Sequence, residues 1–300
     1  MTGPATMTGP ATMTGPATMT GPATMTSPAT MTSPATMTSP ATMTSPATTW
    51  QPASGCGDDC RPGDASPSTP VTVALRVAGL IAVLLMGLLP AALLRGGALR
   101  TLPRAILAVL GVRLVWRGPA PRPGSLLVAN HVSWLDVVAL HAVVPVRLVA
   151  KHDVRQWPAI GATAGRSGAI FIDRTRPKSL PRTVGEVAAA LRAGRSVAVF
   201  PEGTTYCGAE SGPFRPALFQ AAIDAGAPVA PISISYDSTE AAFVGADTLW
   251  ASVLRVARVR RLTVTLVAAP ALRPESGAGR GALARAAQAS LGGRAYRLAA

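Results

Sequence analysis

A histidine and an aspartate follow a short apolar run in the segment SLLVANHVSWLD, residues 125–136. The chain has three histidines in 300 residues, and His131 stands at the end of this run, five positions before Asp136. Five residues along a regular helix rotate a side chain by about 140°, so the two side chains meet only if His131 lies in a turn and Asp136 in the first turns of the following helix. A neutral imidazole held by a carboxylate is a competent general base near neutral pH. A histidine that caps or packs at a strand end, beside a solvated aspartate, also accounts for this spacing.

Two further segments end a strand-like run in polar residues. GAIFIDR, residues 168–174, closes with Arg174, and an arginine at a strand end is well shaped to bind a phosphate through two hydrogen bonds. VAVFPEGTT, residues 197–205, contains Gly203, where backbone amides can approach an anion, and Thr204, which adds a donor. Taken singly, a surface arginine paired with its neighbouring aspartate and an ordinary turn also explain these residues.

Taken together and in order, these segments resemble the motifs of the glycerolipid acyltransferase family, typified by the bacterial 1-acylglycerol-3-phosphate (lysophosphatidic acid) acyltransferase. The first motif, N-H-x-S-x-x-D, is matched by Asn130, His131, Ser133 and Asp136. The other three are matched by residues 168–174 (G-x-x-F-I-D-R), residues 200–204 (F-P-E-G-T) and Pro231, a proline within a strand. The resemblance covers roughly residues 105–270.

This resemblance implies acyl transfer from an acyl-CoA or acyl carrier protein thioester to a lipid hydroxyl, without a covalent enzyme intermediate. With 1-acylglycerol-3-phosphate as the acceptor, the product is phosphatidic acid. His131 is then the general base and Asp136 the residue that orients it. The implied substrate-binding residues are Arg174, Glu202, Gly203, Thr204, Lys151 and Pro231. No cofactor beyond the thioester cosubstrate and no metal is implied.

Two alternatives remain open at the level of the sequence. The stretch after the third motif reads PFRPALFQAA, with Pro216 where the family has a glycine, so the acceptor could equally be another lyso-lipid such as lyso-ornithine lipid. A non-catalytic membrane-anchored or nucleic-acid-binding protein is the third interpretation. The intact pair of His131 and Asp136 argues for catalysis, and the lack of a lysine run or interleaved aromatic residues argues against nucleic acid.

Alternating patterns predict the elements that position these residues. Six apolar runs are typical of strands: residues 125–129, 147–150, 169–172, 197–200, 229–235 and 262–268. Helix-like segments such as LPRTVGEVAAALRAG and PALFQAAIDAG lie between them and end in a glycine that suits a helix C-terminus. We therefore expect an α/β domain over residues 119–275, with a central mixed sheet covered by helices and functional residues at strand ends. Residues 276–300 are expected to form a C-terminal helical tail.

The N-terminal part has a different composition. Residues 1–48 are eight hexapeptides, four MTGPAT followed by four MTSPAT, and a proline every six residues predicts disorder. Residues 49–70 are rich in Gly, Pro, Asp and Ser, and are predicted to be a flexible linker.

Residues 71–118 are predicted to be membrane-associated helices. Residues 77–94 form an uncharged run of 18, the threshold length for crossing a bilayer, and Pro90 also allows a bent course within one leaflet. The next apolar stretch, AILAVLGVRLVW, is too short to span and is interpreted as an interfacial helix. Arginines are more numerous after the long run than before it, which predicts an inner-membrane protein with its catalytic domain on the cytoplasmic face.

Composition supports contact with lipid and leaves other partners open. The chain is 48% hydrophobic and 14% charged, and its net charge is +14. Residues 1–70 hold one arginine against three aspartates, so residues 71–300 carry about +16. Cys56 and Cys60 lie close together but Cys207 is distant in sequence, so we predict neither a disulfide framework nor a metal site.

Overall fold

Seven strands form one mixed sheet in the computed structural model, which describes residues 52–63, 65–91, 98–157, 160–275, 277 and 279–292, with only the backbone of residues 87–91 and 98–100. In chain order the strands are β1 (Val112–Arg117), β2 (Leu126–Ala129), β3 (Arg147–Lys151), β4 (Ile170–Ile172), β5 (Val197–Val199), β6 (Val229–Tyr236) and β7 (Leu262–Ala268). Their spatial order is β1-β7-β6-β2-β5-β3-β4. Strands β2 to β6 run parallel to one another, whereas β7 is antiparallel to β6 and parallel to β1.

Helices cover both faces of this sheet. They are α1 (Pro70–Ala91), α2 (Ala98–Val109), α3 (Trp134–Val143), α4 (Ile160–Arg166), α5 (Leu180–Arg192), α6 (Phe219–Ala225), α7 (Leu249–Arg258) and α8 (Arg280–Gly292). Strand β2 is buried on both sides, and successive side chains of a strand point to opposite faces. Leu127 and Ala129 therefore pack in one core with α2, α3 and α7, while Leu126 and Val128 pack in a second core with α5, α6 and α8.

The α/β architecture with a central mixed sheet is confirmed. Each of the six predicted strands is present, with ends within one residue of the prediction. Gly226 ends α6 in the left-handed conformation, φ 60°, as the glycine after that helical pattern indicated. The predicted C-terminal tail contains α8, and residues 293–300 lie outside the described part of the chain, as does the hexapeptide repeat of residues 1–48.

The sheet begins earlier than residue 119, so the predicted boundary of the α/β domain is wrong. Residues 112–117 were assigned to an interfacial helix, but they form β1, which pairs with β7 along its whole length. Gly111, with φ 71°, breaks the chain after α2, and the alternation of apolar residues and arginines in VRLVWR then suits an edge strand.

Helix α1 packs against α2 and α7. The uncharged run of residues 77–94 continues past the end of α1 into residues outside the described part of the chain. Among the described residues, we find no helix that combines the length and the apolar character needed to cross a membrane. Several large apolar side chains of α1 are nevertheless solvent-exposed, including Val71, Leu75, Leu85 and Met86.

The predicted flexible linker is packed against the α/β domain, so that prediction is also wrong over its described residues. We call residues 52–63 and 65–68 the N-terminal strap. Cys56 in the strap is 5% exposed, and Arg61 donates from Nη1 to Asp247 Oδ2 over 3.0 Å. The backbone of Ser68 donates to the carbonyl of Arg258 over 2.6 Å. A Gly- and Pro-rich composition indicates an irregular path, and here that path follows the surface of the domain.

Arg76 attaches α1 to the end of α7. Its guanidinium donates to three carbonyls, those of Ala257 (3.0 Å), Val259 (2.6 Å) and Arg260 (3.1 Å). Carbonyls at the C-terminal end of a helix lack intrahelical partners and carry partial negative charge. The guanidinium of Arg76 therefore supplies the missing hydrogen bonds and also a favourable charge interaction.

Replacing this arginine is expected to loosen α1. Arg76→Met keeps much of the apolar stem but removes all three hydrogen bonds, and should lower the free energy of unfolding by about 2 kcal/mol. Urea unfolding in detergent and limited proteolysis within α1 would measure this. Arg113→Met, at an exposed position of β1, is the matched control, and equal losses in both variants would contradict the assignment.

Candidate active site

One edge of the sheet collects the polar residues that the motifs contribute. Strands β2, β3, β4, β5 and β6 are parallel, so their C-terminal ends all lie at this edge. In α/β sheets this is where ligands bind. His131 follows β2, Arg174 follows β4, Glu202 follows β5 and Tyr236 ends β6.

The start of α3 brings Asp136 back to His131. Ser133 is the N-cap of α3, and Asp136 three residues later completes a capping box by accepting from the backbone N–H of Ser133 over 2.9 Å. The same oxygen, Oδ2, accepts from the backbone N–H of Val132 at 2.7 Å and lies 2.8 Å from Nδ1 of His131. The five-residue spacing therefore works because His131 lies in the turn and Asp136 in the first helical turn.

Asp136 is fully buried, and its second oxygen has its own donor. Tyr236 donates its hydroxyl to Oδ1 over 2.5 Å. Burial raises the pKa of Tyr236 well above its ordinary value, and the negative charge of Asp136 adds to this, so the phenol remains a donor. With Nδ1 of His131 directed at Asp136, Nε2 is the ring nitrogen that remains for another partner, and 20% of the side chain is exposed.

Phe200 and the backbone hold the imidazole from its other sides. The rings of His131 and Phe200 stack with centroids 4.0 Å apart and planes 15° from parallel. The backbone N–H of His131 donates to Oε2 of Glu202 over 2.6 Å, and its carbonyl accepts from the N–H of Tyr206 over 2.8 Å. The turn that carries the histidine is therefore bonded on both sides to the loop after β5.

Asn130 continues the sheet where β2 ends. Its side-chain amide donates to the carbonyl of Ile234 over 2.9 Å and accepts from the N–H of Ile234 over 2.8 Å. A side-chain amide has the same donor and acceptor as a peptide group, so Asn130 replaces a strand pairing to β6 while the main chain turns into the site.

Glu202 contacts the turn that carries His131, and its predicted role in substrate binding stays a prediction. The residue is 2% exposed, and its second oxygen accepts from the backbone N–H of Gly212 over 3.2 Å. Burial raises the pKa of Glu202 from 4.5 to about 7 against the opposing effect of its two backbone hydrogen bonds, and the charge of Asp136 adds to the rise.

Arg174 lies beside the turn that contains Gly203 and Thr204. Its Nη1 donates to the carbonyl of Gly203. Burial lowers the pKa of Arg174, and the positive charge of Arg215 lowers it further. Arg215 comes from the loop before α6. Its Cδ atom would lie 3.7 Å from a Cβ atom added at Gly203. Two guanidinium groups that repel each other across one turn form a site suited to an anion.

Gly203 has to be a glycine for two reasons. Its φ is 78°, and an added Cβ would lie 2.6 Å from Cγ of Pro52 in the N-terminal strap. Thr204 follows it in the same half-buried turn, while the hydroxyl of Thr205 donates to the carbonyl of Phe243.

Lys151 and Pro231 were also predicted to bind substrate, and the structure places them at the end of β3 and within β6. Lys151 ends β3 and forms an exposed ion pair with Asp153, Nζ to Oδ2 2.5 Å. Pro231 is buried in β6, in register with Val128 of β2. Its carbonyl accepts from the N–H of Ala269, just past the end of β7. A proline has no N–H to donate, and at this position the pairing of β6 with β7 does not require one. Pro231 is therefore a residue of the sheet that leads to the site.

The sequence analysis assigned no individual role to Phe200, Tyr236 or Arg215. Tyr236 carried a signal, because a residue with an apolar ring and a polar tip at the end of a buried strand suits a site edge. The basic residue of PFRPALFQAA is Arg215, and the proximity of this position to Arg174 depends on the three-dimensional path of the chain.

The expectation that no three metal-ligating side chains cluster is wrong. The sulfur atoms of Cys56, Cys60 and Cys207 all lie within 4.8 Å of one another. Burial raises the pKa of Cys56 to about 11. Burial also acts to raise the pKa of Cys207, but backbone hydrogen bonds from Glu210 and Ala209 help to bring it below its ordinary value.

Comparison with known proteins relates this arrangement to characterised sequences. The family model described as Acyltransferase matches residues 113–235. A 1-acyl-sn-glycerol-3-phosphate acyltransferase of Neisseria meningitidis is 38% identical over 181 residues, which cover 57% of this chain and 69% of that relative. A lyso-ornithine lipid O-acyltransferase of Pseudomonas aeruginosa is also 38% identical, over 177 residues that cover 57% of this chain and 67% of that relative.

A solved structure supports the fold. The crystal structure of the 1-acyl-sn-glycerophosphate (LPA) acyltransferase of Thermotoga maritima aligns with a TM-score of 0.55 at 19% sequence identity. The alignment covers 74% of this chain and 92% of that chain. The same α/β architecture is therefore shared along most of the described residues.

The buried carboxyl of Glu202 predicts a pH dependence of stability. Its folded-state pKa of about 7 lies above the ordinary 4.5, so its contribution is complete below pH 4.5 and is lost as the pH rises through 7. Relative to Glu202→Gln, the wild-type free energy of unfolding should fall by roughly 3 kcal/mol across this range.

Denaturant unfolding at a series of pH values would measure this difference. The matched control is Glu210→Gln, an exposed glutamate in the same loop, whose profile should follow the wild type. Parallel curves for wild type and Glu202→Gln would show that Glu202 is ionised at the same pH in the folded and unfolded chain.

Proposed function

Because this chain belongs to the acyltransferase family and is an acyl-transferring enzyme, we propose that its acceptor is the free hydroxyl of 1-acylglycerol-3-phosphate and its product is phosphatidic acid. The donor is a fatty acyl thioester of coenzyme A or of acyl carrier protein. The observation that carries the proposal is the His131–Asp136 pair, 2.8 Å apart, at the same sheet edge as the guanidinium groups of Arg174 and Arg215. A base and an anion site are the two features that a phosphate-bearing alcohol requires.

His131 moves the proton in this mechanism. Nε2 accepts the proton of the acceptor hydroxyl while the oxygen attacks the thioester carbonyl and forms the new C–O bond. Asp136 holds the Nδ1–H tautomer and stabilises the imidazolium that forms. When the C–S bond breaks, the imidazolium returns its proton to the leaving thiolate, so the products are an ester and a free thiol.

The acceptor's phosphate is assigned to Arg174 and Arg215. A phosphate monoester is close to doubly charged near neutral pH, and two guanidinium groups neutralise it where one would leave net negative charge. Arg174 is already oriented by the carbonyl of Gly203, so less side-chain entropy is lost on binding. Thr204 lies in the same turn as an additional donor.

A membrane location at the inner leaflet, with the catalytic domain on the cytoplasmic face, forms part of the proposal. Its support is the exposed apolar surface of α1, where Leu75 is 68% exposed and Met86 71%. An apolar helix face next to an arginine-rich chain suits an interface rich in anionic lipid. A lysolipid acceptor resides in the bilayer, so attachment there reduces the search for substrate to two dimensions.

Lyso-ornithine lipid is the second candidate acceptor, and it is favoured by the 38% identity to the enzyme of Pseudomonas aeruginosa. Its head group carries one carboxylate and one ammonium, so it needs a single guanidinium and a carboxylate partner. Exposed Lys151 and Asp153 and the half-buried Asp173 provide charges at the same edge for such a head group.

His131→Ala is expected to abolish acyl transfer, because it removes the group that accepts the hydroxyl proton. Losses on removing a general base are typically 100- to 10,000-fold, about 3–5 kcal/mol of transition-state stabilisation. Labelled acyl transfer by isolated membranes measures the rate, and protein level and protease resistance check folding. His141→Gln, on α3, is the matched histidine control, and substantial activity in His131→Ala would overturn the mechanism.

The acceptor is tested by pairing lysophosphatidic acid with lyso-ornithine lipid in the same membranes. Arg215→Gln should raise KM for lysophosphatidic acid roughly tenfold with little change in kcat, because it weakens binding of a phosphate that does not react. Arg182→Gln, an exposed arginine of α5, is the control. Faster transfer to lyso-ornithine lipid than to lysophosphatidic acid in the wild type would favour the second candidate.

A further inference from the structure

Three cysteines that are distant in the sequence meet at one point of the fold. Cys56 and Cys60 belong to the N-terminal strap, and Cys207 belongs to the loop that follows the third motif. Their sulfur atoms lie within 4.8 Å of one another. Cys56 and Cys207 are 5% and 8% exposed, and Cys60 is half-buried.

The separation of the sulfurs suits a shared metal ion. Four thiolates around Zn²⁺, each about 2.3 Å from the metal, are about 3.8 Å from one another in a tetrahedron, so small shifts bring these three sulfurs into place. The C-x-x-x-C spacing of Cys56 and Cys60 is within the range of zinc-binding pairs. A short 3₁₀ turn, Asp58–Cys60, folds the second cysteine of the pair back, with the N–H of Cys60 donating to the carbonyl of Gly57 over 3.2 Å.

Backbone donors surround the cluster as they do around thiolate ligands. The N–H of Cys207 donates to Sγ of Cys56 over 3.4 Å. Backbone hydrogen bonds from Ala209 and Glu210 reach Cys207. Such donors stabilise negative charge on sulfur, which is the form that binds a metal.

The surroundings of the cluster are apolar on the protein side and open on the other. Val132, Ala242 and Val244 pack against Cys56 and Cys207. An ion held by three thiolates has a fourth position for water or another small ligand, and the half-buried Cys60 leaves the cluster partly accessible to it. Buried apolar residues cover the protein side of the cluster.

We propose that Cys56, Cys60 and Cys207 form a thiolate site for a zinc-class divalent cation, which fastens the N-terminal strap to the loop behind His131. On binding, three thiols release three protons and the cation forms three metal–sulfur bonds, with no change of oxidation state. The fastening reaches the candidate active site through two neighbours. Tyr206, next to Cys207, donates to the carbonyl of His131, and Pro52 of the strap lies over Gly203.

This site is independent of the proposed acceptor, since it lies outside the His131–Asp136 pair and the arginines. Its expected effect is on the attachment of the strap and on the order of the loop after β5. Metal removal should therefore expose the strap to protease while the α/β domain remains folded.

The experiment is a Co²⁺ titration of the reduced full-length protein in detergent. One equivalent of Co²⁺ should produce the intense sulfur-to-cobalt absorption and the visible bands of a tetrahedral thiolate site, and one equivalent of Zn²⁺ should displace it. Each of Cys56→Ser, Cys60→Ser and Cys207→Ser should weaken binding about 100-fold, because each removes a ligand. Ser54→Ala, in the same strap, is the matched control and should bind as the wild type does.

Two measurements on the wild type keep the test valid if a cysteine variant fails to fold. With Zn²⁺ bound, the three thiols should react slowly with a thiol reagent, and a chelator should restore their reactivity and speed cleavage of the strap. The proposal is overturned if the reduced wild type gives no thiolate absorption with Co²⁺, if any single serine variant keeps it unchanged, or if two of the cysteines remain disulfide-bonded under reducing conditions.

Discussion

A buried carboxylate determines the geometry on which the candidate active site depends. Asp136 is fully buried in the protein interior, where a carboxylate is tolerated only if donors surround it. Four donors do so: the backbone N–H groups of Val132 and Ser133, Nδ1 of His131 and the hydroxyl of Tyr236. Because two of these donors precede α3, the same oxygen caps the helix and orients the imidazole. The start of the helix and the orientation of the base are therefore one interaction, and neither can change without the other.

The order of strands in the sheet determines which groups reach that imidazole. Strand β2 lies between β6 and β5, so Tyr236 approaches from one side and Phe200 from the other. Strand β4 lies at the far edge of the sheet, and Arg174, which follows it, contacts the carbonyl of Gly203. The base therefore lies between the residues of the neighbouring strands, and the cation is held farther away. One acceptor molecule can then place its reacting hydroxyl at the base and its head group at the cation.

Sequence pattern predicted the parts of this structure that depend on local spacing. The strands, the turn at His131 and the helix start at Asp136 follow from residues close together in the chain. The contacts of Glu202 and Pro231 could not be predicted from local spacing, because they involve residues far away in the sequence. Glu202 accepts from the backbone N–H of His131, 71 positions earlier, and is 2% exposed. Strand β1 was missed for a related reason, since an edge strand of alternating apolar and basic residues is recognised by the strand it pairs with.

Two carboxylates lie near one histidine, and their surroundings give them different functions. Asp136 faces the ring and accepts from four donors, one of which is the ring itself. Glu202 faces the backbone of His131 with two donors, and burial raises its pKa to about 7. Desolvation therefore leaves Glu202 partly protonated near neutral pH. Glu202 holds the turn through the backbone N–H of His131, while Asp136 contacts the ring itself. The acidic residue of the third motif thus fixes the position of the histidine, and the acidic residue of the first motif fixes the orientation of its ring.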